Sequence, residues 1–349
     1  MFLFELYKAV RKKEFAMIFL VGIVIVILMA TQNNKIIPSK VRINVYKNYI
    51  KQIEGEYTQE KHDWLLSERE RFEEAIDHKD EYEEKYHNRE IEPDVYRELL
   101  DTVREAEAKK DTLDYLIQKS EYLGVLHQVS DKSSYFYDLD INDYVENMGI
   151  DLMVILLVTV CVVHIFSEDF SCGTYFMVRS SRDGRRRLYG ARLLCTLLLS
   201  ALIGTVFPVI ELITKCKTYD MGNLGADIRC LSAMRESSLK MTIEHYLLLC
   251  IGTRIAATVF LAVIVMGITQ LVKNIISDYV IAVGLVYLPY IMMEELHKFG
   301  KVFSLYRGLA VYQGYRSPVH VFGLHGMCLW LAFYSIVCIG IITVIYKFL

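Results

Sequence analysis

The sequence predicts an all-α polytopic membrane protein with six transmembrane helices. An extracellular antiparallel helical hairpin, coiled-coil-like, is expected between spans one and two. Three observations carry this. Of 349 residues, 53% are apolar and yet 23% are charged, a balance that suits a membrane domain with one sizeable hydrophilic insert. The charge is segregated: residues 31–148 hold 17 Lys plus Arg against 28 Asp plus Glu, a net of −11, while the rest of the chain is +8. Parts of opposite charge face different surroundings. Apolar runs of bilayer-crossing length recur along the remainder.

Taken in order, residues 1–14 read as a cytoplasmic interfacial amphipathic helix. Phe2, Leu3, Leu6, Ala9 and Val10 form one face, and Lys8, Arg11, Lys12 and Lys13 are placed to meet lipid headgroups. Residues 15–30 form span one, an uncleaved anchor, because the apolar run is long and no small-residue cleavage site follows it. Residues 31–148 form the acidic extracellular hairpin domain. Apolar or aromatic residues recur at 46, 50, 53, 57, 64, 72, 76, 82 and 86, with Glu68 an imperfect member of the series, then at Tyr96, Leu99, Val103, Ala106, Leu113, Leu116 or Ile117, and Leu123. Steps of three and four are helical. The break at Asn88 and Pro93 turns the chain back, and arms of some 35 to 40 residues would reach roughly 50–60 Å.

Residues 149–349 supply five further spans, at about 149–166, 191–213, 246–272, 277–293 and 326–346. Clusters at Lys8 to Lys13 and Arg179 to Arg192 put both termini and the 167–192 loop in the cytoplasm. Loops 214–245 and 294–325 then lie outside. Cys216 and Cys230 share the first of these loops, where a disulfide can form if the loop is extracellular. The other cysteines mostly lie in apolar runs, as small buried residues.

Catalytic motifs are missing from the sequence. Gly300-Lys301 is followed by Val302 and preceded at the sixth place by Glu295, so no phosphate loop is present. No HExxH, GxSxG or kinase signature occurs. The nine histidines are scattered without metal-site spacing. No catalytic residue, metal or nucleic-acid partner is expected. Two charges lie inside apolar runs, Arg254 in span four and Glu211 near the outer end of span three. Either they snorkel to the interface, or they pair and line a translocation path.

Residues 167–192, SEDFSCGTYFMVRSSRDGRRRLYGAR, join an acidic start to a dense basic end. Ser167 offers a helix N-cap followed by Glu168 and Asp169. Phe170, Tyr175, Phe176 and Met177 then load a short helix with large side chains, and Asp183-Gly184 signals a turn. As a whole the segment resembles the first cytoplasmic loop of type-2 ABC permeases, the membrane subunits of many bacterial exporters. The likeness rests on Phe166, Glu168, Gly173-Thr174, Ser180-Ser181-Arg182, Gly184-Arg185 and Arg192. Arg192 departs from the more usual lysine but keeps the charge. Six spans and the N-terminal interfacial helix agree with that family, whereas the acidic hairpin is unusual for it.

The resemblance implies a permease subunit in a bacterial cell membrane, with a coupling helix at 168–179 seated in a separate ATPase. In that reading Phe170, Tyr175 and Phe176 anchor the contact and Glu168 orients its start, with Arg179, Arg182, Gly184 and Arg185 completing the loop. ATP and Mg would be bound by the partner chain and no cofactor by this one. The permease would pair with itself or with a paralogous permease. Peptide-like or amphipathic cargo is the expectation, with an extracellular peptide or envelope protein meeting the hairpin. The alternatives are an ATPase-independent scaffold or receptor of the phage-infection-protein or secretion-accessory type, and a peptide sensor.

Overall fold

The computed structural model describes residues 2–11, 13–31, 41–148, 152–171, 182–272, 275–291, 315–316, 320–321 and 324–348. Within these the chain is almost entirely helical, with two small two-stranded ladders. The hydrophilic part begins with α3 (Ile43–Ile53), preceded by α1 (Phe2–Val10) and α2 (Lys13–Thr31). Strand β1 (Gly55–Glu56) pairs antiparallel with β2 (Ser134–Tyr135), Gly55 opposite Tyr135. That ladder ties together the two ends of a helical excursion comprising α4 (Gln59–Asp77), α5 (Lys79–His87) and α6 (Pro93–His127). Thr58 caps α4 by accepting from Lys61 N–H. Pro93 stands in the first turn of α6, where a missing N–H costs nothing.

The ascending helices and α6 run antiparallel, as their contacts descend in register. His62 Nδ1 lies 2.7 Å from Ser120 Oγ, Arg69 pairs with Asp114 at 3.2 Å and Lys79 with Glu107 at 3.0 Å. Tyr86 stacks on Tyr96 with centroids 4.2 Å apart. Arg89, at φ 59°, turns the chain between them. The first arm is less regular than its spacing predicts: it is interrupted by extended backbone at 54–58, so Tyr57 lies outside any helix, and again at His78. Leu65 and Phe72 carry the buried face of α4, facing Val103, Ala106, Leu113, Leu116 and Leu123 of α6. Each such leucine contributes about 1.5–3 kcal/mol by leaving water. Helix α5 buries no residue, and exposed ion pairs such as Lys85–Glu81 add little. Stability therefore declines from base to tip.

The segment between the third and fourth apolar helices, expected as a plain loop at 214–245, is built into this domain. Ile228, Cys230, Leu231, Ala233 and Met234 join the same core as Tyr46, Leu116 and Phe136. Two 3₁₀ turns, Ile228–Cys230 and Ser232–Met234, present them, and Asp227 N–H donates to Lys132 O at 3.0 Å. Gly222 is required here. Its φ is +56°, and a Cβ would stand 2.6 Å from the Phe136 ring and 2.8 Å from Tyr137 O.

A second core belongs to the apolar helices α8 (Leu152–Ser171), α9 (Arg182–Thr218), α10 (Ile243–Val272), α11 (Ile275–Ile291) and α12 (Gly326–Phe348), with α2 against them. Among the described residues, three stretches are long and apolar enough to cross a membrane: Arg186–Thr218, Ile243–Val272 and Gly326–Lys347. Shorter apolar stretches lie at Phe15–Thr31, Val154–Phe166 and Ile276–Leu285. Helix α10 is central, packing on α8, α9, α11 and α12. It crosses α9 most closely at Gly204, where a Cβ would enter the Thr258 hydroxyl and come within 3.2 Å of Ile255 Cα.

Helix limits correct the reading of the basic segment at both ends. The apolar helix α8 runs on through Ser167, Glu168 and Asp169 to Ser171, so no new helix is capped at Ser167. Asp183-Gly184 lies inside α9 rather than in a turn. The apolar core of each helix propagates helix into its polar flank and overrides weak local signals. Residues 172–181 lie outside the described residues.

Leu116→Ala is expected to cost the hydrophilic domain about 2–5 kcal/mol, and Tyr86→Ala at the tip less than about 1.5 kcal/mol. Hydrogen exchange on the purified chain would read both; a larger loss at Tyr86 would refute the gradient.

Candidate functional site

The run YFYDLDINDYV at 135–145 contains three aspartates among aromatics and β-branched residues. It forms α7 (Leu139–Glu146) and the turn before it, and every residue from Leu139 to Val145 is buried. A helix covered on all sides must satisfy its polar groups internally. Toward the hairpin base, Asp138 accepts from Lys119 Nζ at 2.9 Å, both side chains at 1% exposure or less. Tyr46 OH donates to the same Oδ1 at 2.5 Å, Lys119 Nζ donates to Tyr46 OH at 2.9 Å, and Asn142 Nδ2 donates to Asp138 Oδ2 at 2.9 Å. Asn142 Oδ1 accepts from Ala233 N–H at 3.2 Å, which fastens the 3₁₀ segment to α7. Burial, and then the neighbouring Asp138 charge, raise the Tyr46 phenol well above its ordinary pKa. It therefore stays a donor.

Toward the apolar helices, Tyr219 OH donates to Asp143 Oδ2 at 2.5 Å, and Lys215 Nζ, in the last turn of α9, donates to Tyr219 OH at 2.8 Å. Asp140 accepts from Tyr137 OH at 3.1 Å and from Asp220 N–H at 3.0 Å. Deeper lie the two isolated charges of the apolar runs, paired rather than drawn apart to the interface: Arg254 Nη1 is 2.7 Å from Glu211 Oε2, with side chains 8% and 15% exposed. Burial, and then the Glu211 charge with Arg254 opposing, raise the Tyr144 phenol above its ordinary pKa. Through Asp143, Tyr219 and Lys215, α7 is bonded to the end of α9, one turn beyond Glu211.

Asp227 braces the same junction. It accepts from Ser130 Oγ at 2.8 Å and from Arg229 Nη2 at 2.7 Å. Burial pushes its carboxyl up, but the Arg229 side chain and N–H and the Ser130 hydroxyl outweigh that and hold it below the ordinary carboxylate value.

At the far end of the bundle another buried ion pair joins Arg192, in the first third of α9, to Glu5 of α1 at 3.3 Å. Tyr189, one turn earlier, lies 6.1 Å from the Phe166 ring and donates to Met266 Sδ at 3.6 Å. The last part of α8 and the first turns of α9 are thus held together at the end opposite α7.

Of the residues singled out in the sequence, the structure brings Arg254 and Glu211 together. Cys216 and Cys230 are free thiols, the first exposed and the second buried; Cys230 belongs to the hydrophilic core, and the bridge is not formed. Glu168 and Phe170 lie in the last turn of α8, and Arg182, Gly184 and Arg185 in the first turn of α9. Gly173, Thr174, Tyr175, Phe176 and Arg179 lie outside the described residues. Sequence reasoning missed Lys119, Asp138, Asp143 and Lys215. The available signal was the spacing of Asp138, Asp140 and Asp143 inside an aromatic run with no turn residue. No group of three or more potential metal ligands occurs among the described residues. No family model, curated protein or solved structure matches the chain.

Lys119→Met, which leaves the Asp138 carboxylate buried without its cation, is expected to cost about 3–5 kcal/mol, and Lys119→Met with Asp138→Leu considerably less. Thermal unfolding of the two variants checks the order. For Asp227, the pKa is lower folded than unfolded. Its stabilisation is therefore present above the ordinary carboxylate value and disappears as pH falls through the lowered one. Asp227→Asn should lose about 1.5–3 kcal/mol near neutrality and flatten the acid limb of stability against pH. An unchanged limb would show that Asp227 does not contribute to it.

Proposed function

We propose that the chain is the permease subunit of an ATP-driven ABC exporter. In this reading it crosses a bacterial cell membrane six times, with its termini in the cytoplasm and the acidic hairpin domain outside. It pairs with itself or a paralogous permease, and a separate ATPase supplies ATP and Mg chemistry. The observation that carries this reading is the buried Arg254–Glu211 pair inside long apolar helices, tied through α7 to the hydrophilic domain. Ionisable groups within a membrane are costly and mark paths for cargo or ions. An inert anchor has no use for one. The loop motif adds its own support. Helices α8 and α9 carry Glu168, Phe170, Arg182, Gly184 and Arg185 in the turns that flank residues 172–181 in sequence. A partner pushing on that segment would move two helices together.

The peptide-sensor reading is favoured by the all-round burial of α7. A ligand at the hairpin would shift a helix that cannot move without its neighbours. In that case the ATPase responds to ligand and nothing crosses the membrane.

Alanine at both Glu168 and Tyr175 is expected to abolish co-purification of the ATPase and lower permease-stimulated ATP hydrolysis at least about tenfold, the scale of a lost interface anchor. Arg254→Leu should keep the ATPase bound while stopping transport. If the double alanine variant retained full stimulation, the coupling assignment would be wrong. If ATPase binding held but no cargo moved in the wild type, the sensor reading would replace the exporter.

A further inference from the structure

Helix α1 turns its one carboxylate inward. Glu5 is buried against Arg192, while Leu3, Phe4, Tyr7 and Val10 are 74%, 65%, 57% and 45% exposed. At 100° per residue those four share one face with Arg11, and Glu5 lies opposite. The ion pair therefore fixes α1 with its apolar face turned away from the bundle. Around it lie cations with no carboxylate partner among the described residues. Arg11 stacks over the Tyr7 ring at 5.4 Å, and Arg186 of α9 over the Tyr346 ring of α12 at 5.6 Å. Lys13, Arg187 and Lys347 are exposed beside them in sequence. A guanidinium stacked on a ring keeps its N–H edge free, and that edge matches two oxygens of a phosphodiester.

We propose that the end of the bundle formed by α1, the start of α9 and the end of α12 is a binding site for acidic phospholipids. Arg11, Arg186 and Arg187 take the headgroup phosphates, and the Leu3–Phe4–Tyr7–Val10 face enters the acyl boundary. Tyr7 and Tyr346 place their rings at the level where amphipathic aromatics settle. This inference rests on the membrane-spanning part of the proposed reading and not on the ATPase. Because Glu5 is clamped to Arg192, lipid held by α1 also steadies the first turns of α9.

The full chain reconstituted in vesicles of mixed phosphatidylcholine and phosphatidylglycerol, then excised with its surrounding lipid by a solubilising polymer, tests this. Wild type is expected to enrich phosphatidylglycerol over the bulk ratio, each arginine accounting for about fivefold in affinity. Arg11→Gln with Arg186→Gln and Arg187→Gln should lose the enrichment. Arg187→Gln alone, an exposed change unlinked to folding, should reduce it, and Arg186→Lys with Arg187→Lys should keep it. Absence of enrichment in wild type, or its persistence in the triple variant, overturns the proposal. Displacement of the enriched lipid by inorganic phosphate overturns it too, in favour of a soluble anion. Release of the chain from membranes by alkaline carbonate without detergent would overturn the membrane reading along with it.

Discussion

The Lys119–Asp138 salt bridge, with Tyr46 OH hydrogen-bonded to both partners, is the constraint on which the hydrophilic domain depends. Two full charges are removed from water there, at a desolvation cost that their attraction repays only in good geometry. The geometry comes from three separate elements: α3 brings the phenol, α6 the ammonium and the turn before α7 the carboxylate. Only one relative placement of the three satisfies all of these groups together. Apolar contacts such as Leu116 and Leu123 would tolerate a slide of one helix along another; this cluster does not. It acts as the register mark of the domain.

The consequence reaches the apolar helices because Asp138 and Asn142 lie one turn apart. Asn142 passes the constraint to Ala233, and Asp143 passes it to Tyr219 and Lys215 at the end of α9. Lys215 and Glu211 are again one turn apart on α9, and Glu211 meets Arg254 of the central helix α10. Buried hydrogen bonds thus run from the hairpin base through Asp138 and Asn142, and from Asp143 to Lys215 at the end of α9, one turn beyond the Glu211–Arg254 pair. Such a series is a physical link between two regions.

Much of this was legible in the sequence, and the exceptions share a cause. The apolar helices announce themselves by composition, and α6 by its three-four spacing from Val103 to Leu123. Arg254 and Glu211 stood out because each is an isolated charge in an apolar run. In contrast, α7 is buried on every side, so it has no polar face and no helical period to find. Its aspartates, and Asp138 before it, take partners up to 92 positions away in sequence, so no local signal marks them as buried. The segment around Ile228 failed similarly: short, with no period, it takes its conformation from the core it completes. At Ser167 and Asp183-Gly184 the local signals for helix start and turn were real but weak, and continuing helix outweighed them.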